Sequence, residues 1–250
     1  MATAPMTLGQ MKDLSSALVQ ALPTHLSFKT AKSWTGRKGE LREKVGMVMD
    51  GWEIIPPGIN WPLTYENLGM TAEYEQTASG LVLPKANPGL WVIPMAPGVT
   101  PNRVVAGYRK LEVDVDTYCD DLDANVKKND RDPNKDGAYL VGFRRTIEAD
   151  QENAGKSAND LAQIKHKGIV LCERLVLGFG YYVTTGQHLD AKSVTLCAGS
   201  RNLYGRVPYV YLSRRCQKIF VSWCHSVSAC GSRCSRSVVS FAGEDLLSQQ

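Results

Sequence analysis

The segment from Ala191 to Gly243 constrains this chain more than any other stretch, because it contains no aspartate or glutamate. It holds eight Lys or Arg residues and five of the seven cysteines. Short apolar runs recur within it, and such runs between polar clusters are typical of strands. They are Val207, Val210 and Leu212, then Ile219, Val221 and Trp223, then Val238, Val239 and Phe241. The sequence therefore predicts three strands joined by a polar, basic surface.

The polar residues of this segment are mostly Ser, Arg, Cys, Asn, Tyr, Gly and His, the types that arise when adenines in asparagine codons are replaced at random. The segment resembles the variable region of proteins diversified by retroelements, in which hypervariable positions lie on a C-type lectin scaffold. The matching pieces are CAGSR at 197–201, VPYVY at 207–211, FVSW at 220–223 and SRSVVS at 235–240. The preceding LCERLVLGFGYYVTTGQHLD, at 171–190, resembles the helix and turn that come before that region.

This resemblance implies an α+β fold, with an N-terminal helical segment at 1–51 and a C-type-lectin-like domain at 52–250. It also implies a variable binding region at about 197–241 that recognises a protein or a cell-surface ligand, without catalysis and without a cofactor. The residues expected to contact the ligand are Asn202, Tyr204, Arg206, Tyr209, Tyr211, Ser213, Arg214, Arg215, Cys216, Phe220, Ser222, Cys224, His225, Ser226, Ser228, Cys230, Gly231 and Ser232.

Large amphipathic side chains stand out among these residues, because Tyr and Arg offer contact area and several donors at modest entropic cost and are enriched where proteins bind proteins. They are Tyr204, Arg206, Tyr209, Tyr211, Arg214, Arg215 and His225. Val207, Val221 and Trp223 are instead expected in or near the core. A strand turns alternate residues to opposite faces, so it can keep a core on one face while the other varies.

The basic charge of the chain is local. Subtracting the eight basic residues of the acid-free segment from the total of 29 leaves 21, against 25 acidic residues. A basic surface attracts nucleic acid or an acidic protein, or it is simply a solvated face. A nucleic-acid-binding domain is the alternative function, although the sequence has none of the motifs that read a groove.

Metal binding and catalysis find little support in the spacing of the reactive residues. Cys216, Cys224, His225, Cys230 and Cys234 could supply soft ligands for zinc, but they form no CxxC pair. Cys224 and His225 are adjacent in sequence, and a strand would point their side chains to opposite faces. They would then not form the hydrogen-bonded pair that a catalytic cysteine needs. His25, His166 and His188 belong to no recognised motif. The prediction is therefore no metal, no catalytic residue and cysteines that are mostly free thiols.

The sequence suggests the first half of a calcium loop at 132–137, because Asp132, Asn134 and Asp136 place oxygen ligands at alternate positions before Gly137. Phe143 stands where the completing glutamate would be, so an Asx-rich surface turn is the favoured alternative. The sequence leaves both the calcium loop and the surface turn open.

The rest of the chain predicts a mixed order of elements. Helices are expected at Thr7–Leu22 and Glu40–Met49, with a polar connector at His25–Lys38 and an ordered loop at Trp52–Pro62. Strands are expected at Leu81–Leu83, Leu90–Met95, Val104–Val113 and Ala138–Ile147. Ser157 and Asp160 should cap a helix that continues to Tyr182, splits near 165–168 and ends at Gly186.

The start of the chain, MATAPMTLGQMKD, has neither the basic nor the apolar part of a signal peptide, and no apolar run reaches the ~18 residues of a membrane helix. These absences assign no location by themselves, and they are compatible with a cytoplasmic or a virion-associated protein. The oligomeric state does not follow from the sequence.

Overall fold

The computed structural model describes residues 12, 13, 16, 56, 58–82 and 89–240. Lys12, Asp13 and Ser16 are helical. The rest of the predicted helices at 7–22 and 40–49, the connector at 25–38 and the boundary between 51 and 52 lie outside the described residues. From Pro56 onward the described residues belong to one compact unit. This unit contains both helices and sheets, which confirms the predicted α+β class.

The helices of the unit are α1 (Trp61–Asn67), α2 (Thr71–Gly80), α3 (Pro101–Lys110), α4 (Leu122–Asn125), α5 (Pro133–Asp136), α6 (Ala158–Gln163) and α7 (Leu171–Thr185), with a 3₁₀ turn at Gln151–Asn153. The strands are β1 (Leu90–Met95), β2 (Val115–Thr117), β3 (Val126–Asn129), β4 (Tyr139–Arg144), β5 (Val194–Leu196), β6 (Ser200–Asn202), β7 (Val207–Ser213), β8 (Lys218–Cys224), β9 (Arg233–Cys234) and β10 (Val239–Ser240).

The strands of the described residues form three sheets. The five-stranded sheet has the order β2-β8-β7-β5-β9, in which β2 runs parallel to β8 and β9 runs parallel to β5. A three-stranded antiparallel sheet has the order β1-β4-β10, and β3 pairs with β6. The first two apolar runs of the acid-free segment lie in β7 and β8; of the third run, Val239 lies in β10, Val238 comes just before it and Phe241 is outside the described residues. The predicted strand at 90–95 is also confirmed, the one at 138–147 is confirmed over Tyr139–Arg144, and the two strands pair with each other.

Helix α7 lies at the centre of the unit, and every residue from Leu171 to Tyr181 is buried. It contacts α1, α3, β1 and β7. A Cβ atom at Gly180 would stand 2.8 Å from Ile59 Cγ2 and 2.9 Å from Trp61 Cζ3, so glycine allows this close approach. The buried stretch includes Glu173 and Arg174, whose charges are paired with Arg131 and Asp190.

The predicted long helix is divided into α6 and α7, as its internal glycine suggested. Ser157 and Asp160 form the predicted capping box at the start of α6, with Ser157 Oγ accepting a bond from Asp160 N at 3.1 Å. Gly186 ends α7 in the left-handed conformation, with φ of 70°. Residues close in sequence therefore determine the start of α6, the end of α7 and the break between the two helices.

A buried charged cluster ties α7 to the strand-rich half of the unit. Arg174 on α7 donates to Asp190 through Nε at 2.8 Å, and Arg236 donates to the other carboxylate oxygen at 2.7 Å. Asp190 is fully buried. Burial alone would raise the pKa of Asp190, but Arg236 and Arg174 hold it below its ordinary value. Arg236 also donates to the carbonyls of Thr146 and Ile147, at 3.0 Å and 2.9 Å.

Residues 104–113 were wrongly predicted as a strand, since 101–110 form helix α3. Thr100 caps this helix by accepting from Arg103 N at 3.3 Å, and Pro101 occupies its first turn. Val104 and Tyr108 lie four residues apart and share the buried face of the helix. The start signal and the packing outweigh the β propensity of the valines.

Two smaller predictions also need correction. Leu81 and Val82 are not in a strand, and residue 83 is outside the described residues. The predicted loop at 52–62 is described only in part, and its last two residues, Trp61 and Pro62, begin α1. Ile59 and Trp61 do pack against the core, as a covering segment should.

Candidate binding surface

The two central strands of the five-stranded sheet separate core residues from surface residues. In the β7–β8 register Val210 lies opposite Val221, and Leu212 lies opposite Ile219. These four side chains pack in or against the main core. Because side chains alternate along a strand, the intervening residues project from the other face of the sheet. This second face is called the outer face below.

Three rings form a row on the outer face, at Tyr209, Tyr211 and Phe220. The ring centroids of Tyr209 and Tyr211 are 6.1 Å apart, and those of Tyr211 and Phe220 are 5.2 Å apart with planes inclined by only 13°. All three side chains are half-buried. Burial, together with the neighbouring Tyr209, raises the pKa of the Tyr211 hydroxyl. These rings, the aromatic row, therefore support one another while keeping part of their surface accessible.

Charged groups bound the aromatic row at both ends. The guanidinium carbon of Arg233 on β9 lies 4.6 Å from the centroid of Tyr209, which is a cation–π contact. Asp116 on β2 lies opposite Phe220, since β2 pairs with β8 in parallel. Next to it, Asp114 forms an ion pair with Lys218, with Nζ and Oδ2 3.3 Å apart. The row therefore has a cation at one edge and carboxylates at the other.

Helix α6 covers one end of the outer face. Val207, Leu196 and Cys224 pack there against Ala158 and Leu161. The loop after β8 is fastened to the same helix, because Asn159 N donates to the carbonyl of Ser226 at 3.0 Å. The opposite end, at the β7–β8 turn, is exposed at 214–217.

The structure places the predicted contact residues in several groups. Tyr209, Tyr211, Ser213, Phe220 and Ser222 lie on the outer face, and Arg214, Arg215 and Cys216 lie in the exposed turn that follows β7. Tyr204 and Arg206 lie in the β6–β7 turn, and His225, Ser226, Ser228, Cys230, Gly231 and Ser232 lie in the loop after β8. A seven-residue strand spans about 20 Å. The β6–β7 turn and the loop after β8 therefore lie at one end of the outer face, and the β7–β8 turn lies at the other end.

Two of the predicted contact residues are buried and do not belong to the surface. Asn202 is only 8% exposed, and its Oδ1 accepts bonds from Tyr204 N and Arg206 N, both at 2.9 Å. It therefore holds the β6–β7 turn in shape. Cys224 is also 8% exposed, and its thiol points to the carbonyl of Val207 at 3.7 Å under the cover of α6.

Sequence reasoning missed Arg233 and Asp116 as neighbours of the aromatic row. Arg233 lies inside the acid-free segment, and its company of Ser and Cys gave no hint that it stacks on a ring. Asp116 comes from a distant part of the chain, and parallel pairing of β2 with β8 leaves no local sequence signal. Trp223 was expected in or near the core, and it packs against the core at its margin, half-buried.

The candidate metal ligands have other partners. Asn134 Oδ1 accepts from Gly98 N at 2.7 Å, its amide donates to the carbonyl of Val99 at 2.9 Å, and Asp136 accepts from Asp132 N at 2.8 Å. The sequence 132–137 therefore forms a capped turn of helix, α5. Within the described part of the chain, no group of three or more His, Cys, Asp or Glu side chains has a metal-binding arrangement.

The cysteines lie in different environments. All seven are free thiols. Cys216 and Cys230 are exposed, whereas Cys224 and Cys234 are buried. Hydrogen bonding to Ser232 lowers the pKa of the Cys230 thiol, and burial raises the pKa of Cys224. His225 is exposed in the loop beyond β8, with no resolved hydrogen bond to Cys224 among the described residues.

Comparison with protein families, curated proteins and solved structures gives no significant match for this chain. The described residues define a mixed α+β protein with an accessible aromatic row on one sheet. None of their helices combines the length and the apolar character needed to cross a membrane.

Proposed function

We propose that this chain is a ligand-binding protein whose C-type-lectin-like scaffold displays a retroelement-diversified surface. The aromatic row and the polar turns at its ends would bind a protein, including one displayed on a cell surface. One observation carries the proposal: the residues that resemble variable positions alternate in β7 and β8 with residues that pack in the core. Such an arrangement lets the surface change while the fold is kept.

The chemistry of the surface favours a protein partner over nucleic acid. Tyr204 is 82% exposed, and exposed tyrosines beside arginines are typical of protein-recognition surfaces. Affinity for nucleic acid grows with the number of phosphates that Lys and Arg neutralise, whereas the carboxylates of Asp114 and Asp116 lie at the edge of this sheet. A basic nucleic-acid-binding domain remains the second candidate, since Arg214 and Arg215 are exposed together in one turn.

The central test separates stability from recognition. A combined exchange for other polar residues alters Tyr204, Arg206, Tyr209, Arg214, Arg215, His225 and Ser228. Exposed substitutions usually change stability by no more than about 0.5 kcal/mol, and Tyr209 adds the loss of its ring contacts, roughly 0.5–1.5 kcal/mol. We expect a cooperative unfolding transition with nearly the parental midpoint, together with loss of the proteins that the parent captures from extracts of candidate target cells.

The matched control exchanges Lys110 and Lys127, which are exposed outside the candidate surface, for serine. The control should retain the captured proteins, and a purified captured protein should bind parent and control equally. Unfolding of the sevenfold variant would show that these residues are structural. Undiminished capture by a folded sevenfold variant would show that the surface does not bind the ligand.

The runner-up is tested with random-sequence duplex DNA. We expect no submicromolar binding at physiological ionic strength. A tight complex whose affinity falls steeply with salt would favour nucleic acid, because each neutralised phosphate contributes to the salt slope.

The resemblance to diversified proteins is tested at the encoding locus. A near-copy of the final coding segment beside a reverse transcriptase gene, differing at adenines, is the expected finding. The differences should fall at codons of outer-face and turn residues such as Tyr209 and Arg214, and should spare Val210 and Val221. Absence of any such repeat would remove the main argument for diversification.

A further inference from the structure

A cleft of about 230 Å³ lies between α6 and the β3–β6 pair, away from the aromatic row. Its polar lining consists of Lys128, Asp130, His166 and Arg201, and its apolar lining includes Ala158 and Leu161. None of the three rings of the aromatic row lines it. The cleft therefore offers a second surface with a chemistry of its own.

Two cations face each other across the strands that border this cleft. Lys128 on β3 pairs in register with Arg201 on β6. Like charges directly opposite each other destabilise a pair of strands. Asp130, exposed near the same edge, is the single carboxylate of the lining. With His166 neutral, the lining has a net positive charge, so an added anion would relieve the repulsion between the two cations.

Arg201 has donors that the protein does not use. Its Nη1 donates to the carbonyls of Ala198 and Ser200, at 2.6 Å and 2.8 Å. Its Nε and Nη2 bond to no acceptor among the described residues and keep contact with solvent. Burial lowers the pKa of the half-buried guanidinium, since desolvation disfavours the charged form. A guanidinium with two open nitrogens presents the fork that binds a carboxylate or phosphate through two bonds.

His166 completes the inner wall of the cleft. Its Nε2 lies 3.4 Å from Ser235 Oγ, and burial lowers its pKa. A neutral imidazole donates one hydrogen bond through one ring nitrogen and accepts one through the other, without adding charge. Ala158 and Leu161 provide apolar contact beside this polar wall.

We infer that this cleft binds a small organic anion, with its carboxylate or phosphate group between Arg201 and Lys128 and its apolar part against Ala158 and Leu161. The size of the cleft limits the ligand, because sites for drug-sized molecules occupy about 300–1,000 Å³. The site does not depend on the proposed recognition of a protein by the outer face.

The test is calorimetric titration of the whole chain with benzoate and with phenyl phosphate, using benzyl alcohol as the neutral probe. At least one of the anions should bind saturably with a Kd below about 10 mM, and the alcohol should not. Preference for one anion identifies whether the site selects a carboxylate or a phosphate. Failure of both anions to saturate, or equal binding of the alcohol, would overturn the inference.

Two lysine variants distinguish a site from general attraction. Lys128→Gln should weaken binding of the preferred anion by about fivefold, the effect of a partly exposed ion pair. Lys127→Gln removes the same charge from the neighbouring residue of the strand, which does not line the cleft, and should leave the Kd unchanged. Both lysines are exposed, so the fold should survive both changes. Equal weakening by the two variants would refute a defined site.

Discussion

Replacing Asp190 by asparagine tests whether the buried charged cluster holds the strand-rich half of the protein to α7. Asp190 is fully buried and accepts bonds from Arg174, Arg236 and Thr195 Oγ1. Its backbone has φ of 55°, a conformation that asparagine also tolerates. The substitution keeps the size and shape of the side chain, so it isolates the loss of charge.

The expected cost follows from the surroundings of the two arginines. Arg174 is 4% exposed and Arg236 is 1% exposed, and Asp190 is the one carboxylate within ion-pair distance of either among the described residues. Removing one partner of a buried ion pair typically costs about 3–5 kcal/mol, because the other charge is left without compensation. Here two arginines lose their counterion together. We therefore expect a loss of at least about 3 kcal/mol from the ~5–15 kcal/mol of a typical domain.

The measurement is urea unfolding of parent and Asp190→Asn, with stability taken from the midpoint and the slope m compared between them. Asp114→Asn is the matched control, because Asp114 pairs with Lys218 at 3.3 Å while its side chain is 70% exposed. The control should change stability by less than about 1 kcal/mol. A similarly small loss for Asp190→Asn, with m unchanged, would refute the structural role assigned to the cluster.

Two further predictions concern pH and the core margin. Burial and the nearby Arg174 lower the pKa of His188 to about 4, while an unfolded histidine titrates near ~6.5. As pH falls, the unfolded chain protonates His188 before the folded chain does, so the free energy of unfolding should decrease between pH ~6.5 and ~4, by roughly 1–2 kcal/mol after allowance for partial exposure. His188→Gln should remove this part of the pH dependence of the urea midpoint. The same pH profile in parent and variant would contradict the prediction. Trp223→Ala should lower the free energy of unfolding by less than the ~3–5 kcal/mol of a buried tryptophan, because Trp223 is half-buried. It should also cost less than Leu175→Ala, at ~2–5 kcal/mol, because Leu175 is fully buried. The reverse order in urea unfolding would show that Trp223 is a central core residue.

Local signals predicted much of the fold. The strands β7 and β8 are joined by a short turn, and each alternates apolar and polar residues, so both were visible in the sequence. The capping box of Ser157 and Asp160 and the terminal Gly186 fixed helix ends for the same reason. The valines of α3 favour a strand in isolation, so the strand prediction there was wrong, although Thr100 and Pro101 are a helix-start signal.

The candidate surface was predictable only where neighbours in space are neighbours in sequence. The residues of the aromatic row lie on adjoining antiparallel strands, and the alternation pointed to them. The burial of Cys224 depends on α6, which comes from more than 60 residues earlier in the chain. The burial of Asn202 serves its own turn, because its side-chain oxygen accepts from Tyr204 N and Arg206 N. Composition alone could not distinguish these cases.

The parallel pairing of β2 with β8 has a consequence for the speed of the proposed binding. The span from 191 to 243 lacks acidic residues in sequence, but Asp114 and Asp116 stand beside it on the sheet edge. A surface of mixed sign exerts little long-range attraction on a charged partner, so association should proceed at an unsteered ~10⁵–10⁶ M⁻¹s⁻¹, below the 10⁸–10⁹ M⁻¹s⁻¹ that steering permits. Differences in affinity among ligands would then arise mainly from how long each complex lasts.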